Sequence, residues 1–161
     1  MRHALGRFPL FVGVLILLVA VAGCTSGGGG PASTSDLDVD ALIRRYIERS
    51  IARDSQGLAD MFTETAKWTD PTGTQELSRA EIKDLFDTMF DVVIDIYDME
   101  ATNVRSTVSG DDATVQFTGK QDVENAFLGR VQSEVDTTWQ LKRIAGQWYI
   151  AHAQTTNISS F

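Results

Sequence analysis

Val131-Gln132-Ser133-Glu134-Val135-Asp136-Thr137-Thr138-Trp139-Gln140-Leu141 changes character at almost every step. Val131, Val135, Trp139 and Leu141 fall on one face together with Ser133 and Thr137. Gln132, Glu134, Asp136 and Gln140 fall on the other. Successive side chains of a strand point to opposite faces, so the stretch reads as a strand with one side buried. The same period extends backwards. Val115, Phe117 and Gly119 alternate, as do Val104, Ser106 and Val108, with Gly110-Asp111-Asp112 as the hairpin turn between them. Forwards, Ala145-Gly146-Gln147 turns the chain into a last strand, Trp148 to Thr156.

Upstream the period becomes helical. Ser78-Arg79-Ala80-Glu81 is a capping box. It opens what reads as the longest helix, to about Tyr97, with Ile82, Leu85, Phe86, Met89, Phe90 and Val93 in one stripe. Asp36 to Arg53 reads as another helix, capped by Ser35 or Asp36. Its apolar stripe is Val39, Ile43, Tyr46, Ile47 and Ile51, and Arg44, Arg45, Glu48 and Arg49 decorate the other side. Asp54 to Phe62 reads as a short helix, Ala66 to Thr69 as a short strand, and Asp70-Pro71-Thr72-Gly73 as a turn. Helices first and an antiparallel meander afterwards predict an α+β domain with helices packed on one face of the sheet. A long helix over a curved sheet would form a cone with an open mouth.

The amino terminus has a different design. Arg2 and Arg7 precede an apolar stretch from Phe8 to Val21, and Val21-Ala22-Gly23-Cys24 follows. A positive start, an apolar core and small residues at the cut make a secretory signal. The apolar run is short of the roughly 20 residues that a spanning helix needs. A cysteine directly after the small residues resembles the lipobox of bacterial lipoproteins. That resemblance implies diacylglycerol on the Cys24 thiol, cleavage before Cys24 and acylation of the new amino terminus. The membrane is then a partner, reached through a lipid anchor outside the cytoplasm. Thr25, where an aspartate would favour inner-membrane retention, points to the outer membrane of a Gram-negative cell; in other cells the place is the outer face of the plasma membrane. Residues 24–35, rich in Gly and Ser, read as a tether with a reach of roughly 20 Å. The expected organisation is a signal over 1–23, the lipidated cysteine and tether over 24–35, and a single folded domain over 36–161.

Fourteen Lys and Arg face 22 Asp and Glu, a net charge of −8. Cleavage before Cys24 would remove Arg2 and Arg7 and deepen it by two. Such a surface is soluble and repels nucleic acid and anionic lipid, so no nucleic-acid partner is expected. The single cysteine excludes an internal disulfide. His152 is the only histidine past the signal, so no metal site and no cofactor are expected.

The order of elements resembles the nuclear-transport-factor-2-like superfamily, which includes SnoaL-like proteins and ketosteroid isomerases. The marks are Tyr46 on the first helix, Asp54 near its end, Leu58-Ala59-Asp60-Met61-Phe62, Trp68-Thr69-Asp70-Pro71-Thr72-Gly73, Trp139 to Arg143, and Gly146 to His152. The resemblance implies a cystatin-like cone, with N-terminal helices on a curved antiparallel sheet. Ketosteroid isomerases carry a helix-borne tyrosine that donates to the steroid oxyanion, and an aspartate just before Pro-x-Gly that shuttles the proton. Tyr46 and Asp70 match both, so the resemblance implies them as a catalytic pair. Those isomerases add a protonated aspartate beside the tyrosine. Here the matching strand position is Thr137, with Asp136 next door on the opposite face.

The same residues have ordinary structural roles. A tyrosine on an amphipathic helix is usually core, and Asp before Pro usually stabilises its own turn. A lone strand histidine such as His152 is more often packed than catalytic. The candidate pocket lining comprises Tyr46, Trp68, Asp70, Phe86, Phe90, Thr137, Trp139, Tyr149 and His152. Asp70 and Trp68, two apart on one strand, are expected to face inward, with Asp70 at least half buried. Three functions compete. The first is a non-catalytic module for a small apolar ligand or an envelope protein. The second is an enzyme that abstracts a proton beside a carbonyl, with Asp70 as base and Tyr46 as oxyanion donor. The third is an accessory lipoprotein that forms a homodimer through the outer face of its sheet. An open apolar cavity favours the first two, and a cone filled by Trp68, Trp139 and Phe90 favours the third.

Overall fold

The alternating stretch lies within the fifth of six strands. A computed structural model describes residues 34–160, so the signal, Cys24 and all but the end of the tether lie outside the described residues. The elements are α1 (Thr34–Ile51), α2 (Ser55–Ala59), β1 (Phe62–Asp70), β2 (Gly73–Ser78), α3 (Arg79–Asp91), β3 (Val93–Ser109), β4 (Asp112–Asn125), β5 (Gly129–Ile144) and β6 (Gln147–Ser160). The strands form one curved sheet in the order β2-β1-β6-β5-β4-β3. Strands β3 to β6 are the expected antiparallel meander. β1 joins it parallel to β6, which the sequence did not announce.

The turns explain the register. Ile144 pairs with Gln147 across Ala145-Gly146, whose φ values of 51° and 80° are both positive. Such a two-residue turn twists with its strands and so locks the β5–β6 pairing. Gly110, at φ 64°, opens the β3–β4 turn between Ser109 and Asp112. From these pairings Ala113, Val115, Phe117, Val135, Trp139 and Leu141 all share one face and are buried.

Several expectations are corrected. The first helix begins at Thr34, before its expected cap. The α3 helix stops at Asp91 instead of about Tyr97, which makes α1 the longer of the two. Val92-Val93-Ile94 follows, three β-branched residues whose stiff χ1 angles suit a strand. Their strand, β3, is 17 residues long and was read only from Val104 onward. Phe62 belongs to β1, not to α2. β2 was not foreseen: its first four residues are all exposed, so it has no buried face to set a period.

Helix α3 starts as its sequence dictates. The Ser78 side chain accepts from the Glu81 N–H, and the Glu81 carboxylate accepts from the Ser78 N–H at 2.8 Å. A side-chain cap of this kind contributes about 1 kcal/mol. Ile82, Phe86 and Phe90 then bury one stripe of the helix against the sheet. At the other end, an Arg49 N–H donates to the Gly57 carbonyl and ties α1 to α2, and Arg79 Nε donates to the Phe62 carbonyl at 2.8 Å. β3 is an edge strand, and its pairing with β4 slips at Val93/Asp95, Ile96/Asp98 and Thr102/Arg105.

Candidate functional site

Tyr46 projects from α1 into the space between helices and sheet. Its ring meets Trp139 edge-on at a centroid separation of 4.9 Å and Phe86 at 6.3 Å. Phe117 packs on the other side of Trp139 at 4.9 Å, and Trp68 meets Phe86 at 6.1 Å. Phe86 therefore stands between Tyr46 and Trp68, and Phe90 stacks behind it at 6.2 Å. Aromatic pairs in this geometry add to the free energy of burial itself. The interior that the sequence left open or filled is occupied here by these rings.

Two polar groups sit in that aromatic surround. The Tyr46 side chain is 8% exposed, and burial pushes its hydroxyl well above the ordinary tyrosine pKa, since the phenolate would lose its hydration. Among the described residues it has no hydrogen-bond partner. Thr137, 7% exposed and two residues from Trp139 on the same face, has a buried hydroxyl that also lacks a partner. Asp136 points outward as alternation requires, and accepts from Thr118 at 3.1 Å and Asn157 at 3.0 Å. The strand position beside Tyr46 is thus a neutral hydroxyl.

Asp70 is placed differently. It ends β1, and its carboxylate accepts from the Thr72 N–H at 2.8 Å and from the Thr72 hydroxyl. This is a turn in which the side chain mimics a backbone acceptor. The residue is partly buried, with Trp68 beside it packed on Phe62 and Phe86. His152 faces the outer side of the sheet, opposite Gln140 and beside Lys67. Its Nε2 is 2.8 Å from the Thr69 hydroxyl. Desolvation, and secondarily the Lys67 charge, hold its pKa below the usual histidine value. Tyr149 lies in a separate groove with Arg79, whose guanidinium is 5.6 Å from the centre of its ring. The structure therefore brings Tyr46, Trp68, Phe86, Phe90, Thr137 and Trp139 together, sets Asp70 at their margin, and puts Tyr149 and His152 elsewhere.

Sequence reasoning missed two groups. Gln121 is buried on the inner face and donates to Ser133 Oγ at 2.8 Å, leaving its own carbonyl oxygen without a partner among the described residues. Cross-strand pairing of Gln121 with Ser133 was readable once the β4–β5 turn was placed. Arg45, Arg49 and Arg79 converge on one groove from separate elements, and no local pattern announces that.

A family model for the SnoaL-like domain matches residues 43–149. No curated protein matches the chain. Among solved structures, the chain is similar to a protein of unknown function from Mycobacterium tuberculosis. Identity is 24%, 76% of each chain is covered, and the TM-score is 0.67. It is also similar to a protein of unknown function with a cystatin-like fold from Nostoc punctiforme, at 19% identity over 77% of this chain and 91% of that one, TM-score 0.63. A ketosteroid isomerase-like protein from Erwinia carotovora atroseptica matches at 19% identity over 79% and 98%, TM-score 0.66. These structures share the fold that the sheet order and helix placement display, and with its model matched across the residues that build the aromatic interior, the chain belongs to the SnoaL-like domain family.

Proposed function

We propose that the protein is a lipid-anchored, extracytoplasmic member of this family that works by binding and not by catalysis. The observation that carries this reading is the state of Asp70. Its carboxylate is held by the Thr72 N–H and hydroxyl of its own turn, and the third isomerase position is Thr137. A general base must reach the proton it takes, and an oxyanion needs strong donors. The aromatic filling around Tyr46 favours engagement through the surface over engulfment of a small apolar ligand. An envelope protein is the partner this suits, or a second copy of the chain meeting the outer face around Asp136, Thr138 and Gln140. Sedimentation of wild type and Asp136→Arg tests the second copy; a monomer in both removes it.

Anchoring rests on the Cys24 sequence and is tested separately. Mass spectrometry of the mature amino terminus should find acyl chains on Cys24, and Cys24→Ser should release the protein from membranes. An unmodified start elsewhere, or unchanged fractionation, overturns the anchor.

A second reading keeps the enzyme, and one observation favours it. Burial keeps the Tyr46 hydroxyl protonated, which is what an oxyanion donor needs before substrate arrives. In that scheme Asp70 would take a proton beside a carbonyl while Tyr46 donates to the enolate oxygen. Assay of Δ5-ketosteroids and related enolisable ketones decides it. Turnover abolished by Asp70→Asn supports the enzyme. No turnover, or turnover indifferent to that change, leaves the binding module.

A further inference from the structure

A groove of about 480 Å³ opens at the β5–β6 turn, away from the Tyr46 cluster. Its lining includes Arg45 and Arg49 from α1, Arg79 from the start of α3, and Trp148 and Tyr149 from β6, with Asp60 at the end of α2. In a chain with 22 acidic residues, three guanidiniums around one concavity is unexpected. The described ion pairs engage Lys83, Lys120, Arg130 and Lys142, and none of the three groove arginines takes part. Asp60, the one carboxylate in the lining, accepts from Gln56 at 3.0 Å.

Two of the arginines are held in place by backbone carbonyls, with the Asp54 carboxylate also near Arg49 at Gly57. Arg49 donates to the Gly57 carbonyl and Arg79 Nε to the Phe62 carbonyl. A guanidinium has five N–H donors, so each keeps others for a ligand. Arg79 is further steadied against the Tyr149 ring. Trp148 lines the same groove beside Tyr149 and can report on it, while its indole N–H is buried out of reach of solvent and has no acceptor among the described residues.

We propose that this groove binds a phosphate group carried by a small organic molecule or a lipid headgroup. Three guanidiniums offer more donors than one carboxylate can accept. A phosphate, with more oxygens and more charge, matches them better. The volume lies within the range of small-molecule sites and leaves space for the organic part beside Tyr149. The negative charge of the whole domain opposes this locally positive site, so affinity must come from direct contacts and not from long-range attraction. The inference is independent of the anchor and of the choice between binding module and enzyme.

The test follows the Trp148 indole resonance in the full chain, with tryptophan labelled with ¹⁵N and the three indole signals assigned by single Trp→Phe changes. Inorganic phosphate at constant ionic strength should move the Trp148 signal saturably and leave Trp139 in place. Arg45 is exposed, so Arg45→Glu should fold, and it should weaken the binding about tenfold or more, the scale of one lost charge-assisted contact. Arg45→Gln should give a smaller loss in the same direction and serves if the charge reversal misfolds. Nanodiscs of phosphatidylglycerol compared with phosphatidylcholine separate the sources. An Arg45-dependent shift with phosphatidylglycerol alone assigns a lipid headgroup, and one with free phosphate assigns a soluble phosphoester. A Trp148 signal unmoved by both probes, or moved equally in the Arg45 variants, overturns the proposal.

Discussion

The two faces of β4 and β5 are made by the same strands and held by different physics. On the inner face Phe117, Trp139 and Leu141 are buried in one core with the helices, and the close ring contacts run through Trp139 to Tyr46. On the outer face charges meet across the strands. Arg130 grips Asp122 through Nε and Nη2 at 2.8 and 2.7 Å, Lys120 pairs with Glu134 at 2.8 Å, and Lys142 with Asp112 at 2.9 Å. Buried apolar area drives folding, whereas exposed ion pairs contribute little and are screened by salt. The inner face therefore carries the stability, and the outer face is free to vary in service of solubility or contact.

The most direct way to break the contrast is Trp139→Ala. It removes the ring shared by Tyr46 and Phe117, and urea unfolding should show a loss of about 3–5 kcal/mol. The second change sharpens the picture from within. Thr137→Val keeps the shape and deletes a buried hydroxyl that has no partner, so stability should hold or rise by about 1 kcal/mol. A clear loss would mean that the hydroxyl bonds a buried water.

Outer-face changes should be smaller and visible chiefly in their pH dependence. Arg130, with help from Gln132, holds the Asp122 carboxyl at about 2. The folded state thus binds that proton more weakly than the unfolded chain. The contribution is complete above the ordinary aspartate value of about 3.9 and fades as pH falls from there towards 2. Arg130→Ala should flatten the stability profile in that window, with a modest loss of stability at neutral pH and hardly any near pH 2. His152 is expected to give the least effect. Its pKa is lowered, so the folded state prefers the neutral ring, and that preference is fully present above the ordinary histidine value of about 6.5 and lost as pH falls below it. His152→Gln should remove this decline, measurable as a thermal midpoint that changes less between neutral and mildly acid buffer.

The same contrast governs what could be read from the residues alone. β5 was legible to the side chain because one face is buried and the other wet, and alternation records that directly. β2 was invisible for the opposite reason: in Gly73-Thr74-Gln75-Glu76 nothing is buried. The end of α3 was misread because Phe90, Val93 and Tyr97 continue a helical spacing; the informative signal was the β-branched run Val92-Val93-Ile94. Within the site, the inward turn of Thr137 and the outward turn of Asp136 followed from period two. The attachment of Asp70 to Thr72 was foreseeable as an ordinary turn role but not as its actual state. Arg45 and Arg49 were assigned to the decorated side of a helix, and so they are. Their meeting with Arg79 and Trp148 depends on how α1, α3 and the β5–β6 turn pack, which no local pattern encodes.

The irregular pairing of β3 has a consequence for the behaviour of the chain at high concentration. A 17-residue strand at the rim of a sheet presents a row of backbone donors and acceptors to any passing strand, the template from which edge-to-edge aggregates grow. Three slips of register break that row into short segments, and Asn103 adds a left-handed kink at φ 56°. Asp95, Asp98, Glu100 and Arg105 line it with charge. No incoming strand can follow the whole length in one register, so the protein's longest strand is also a poor seed for fibrils.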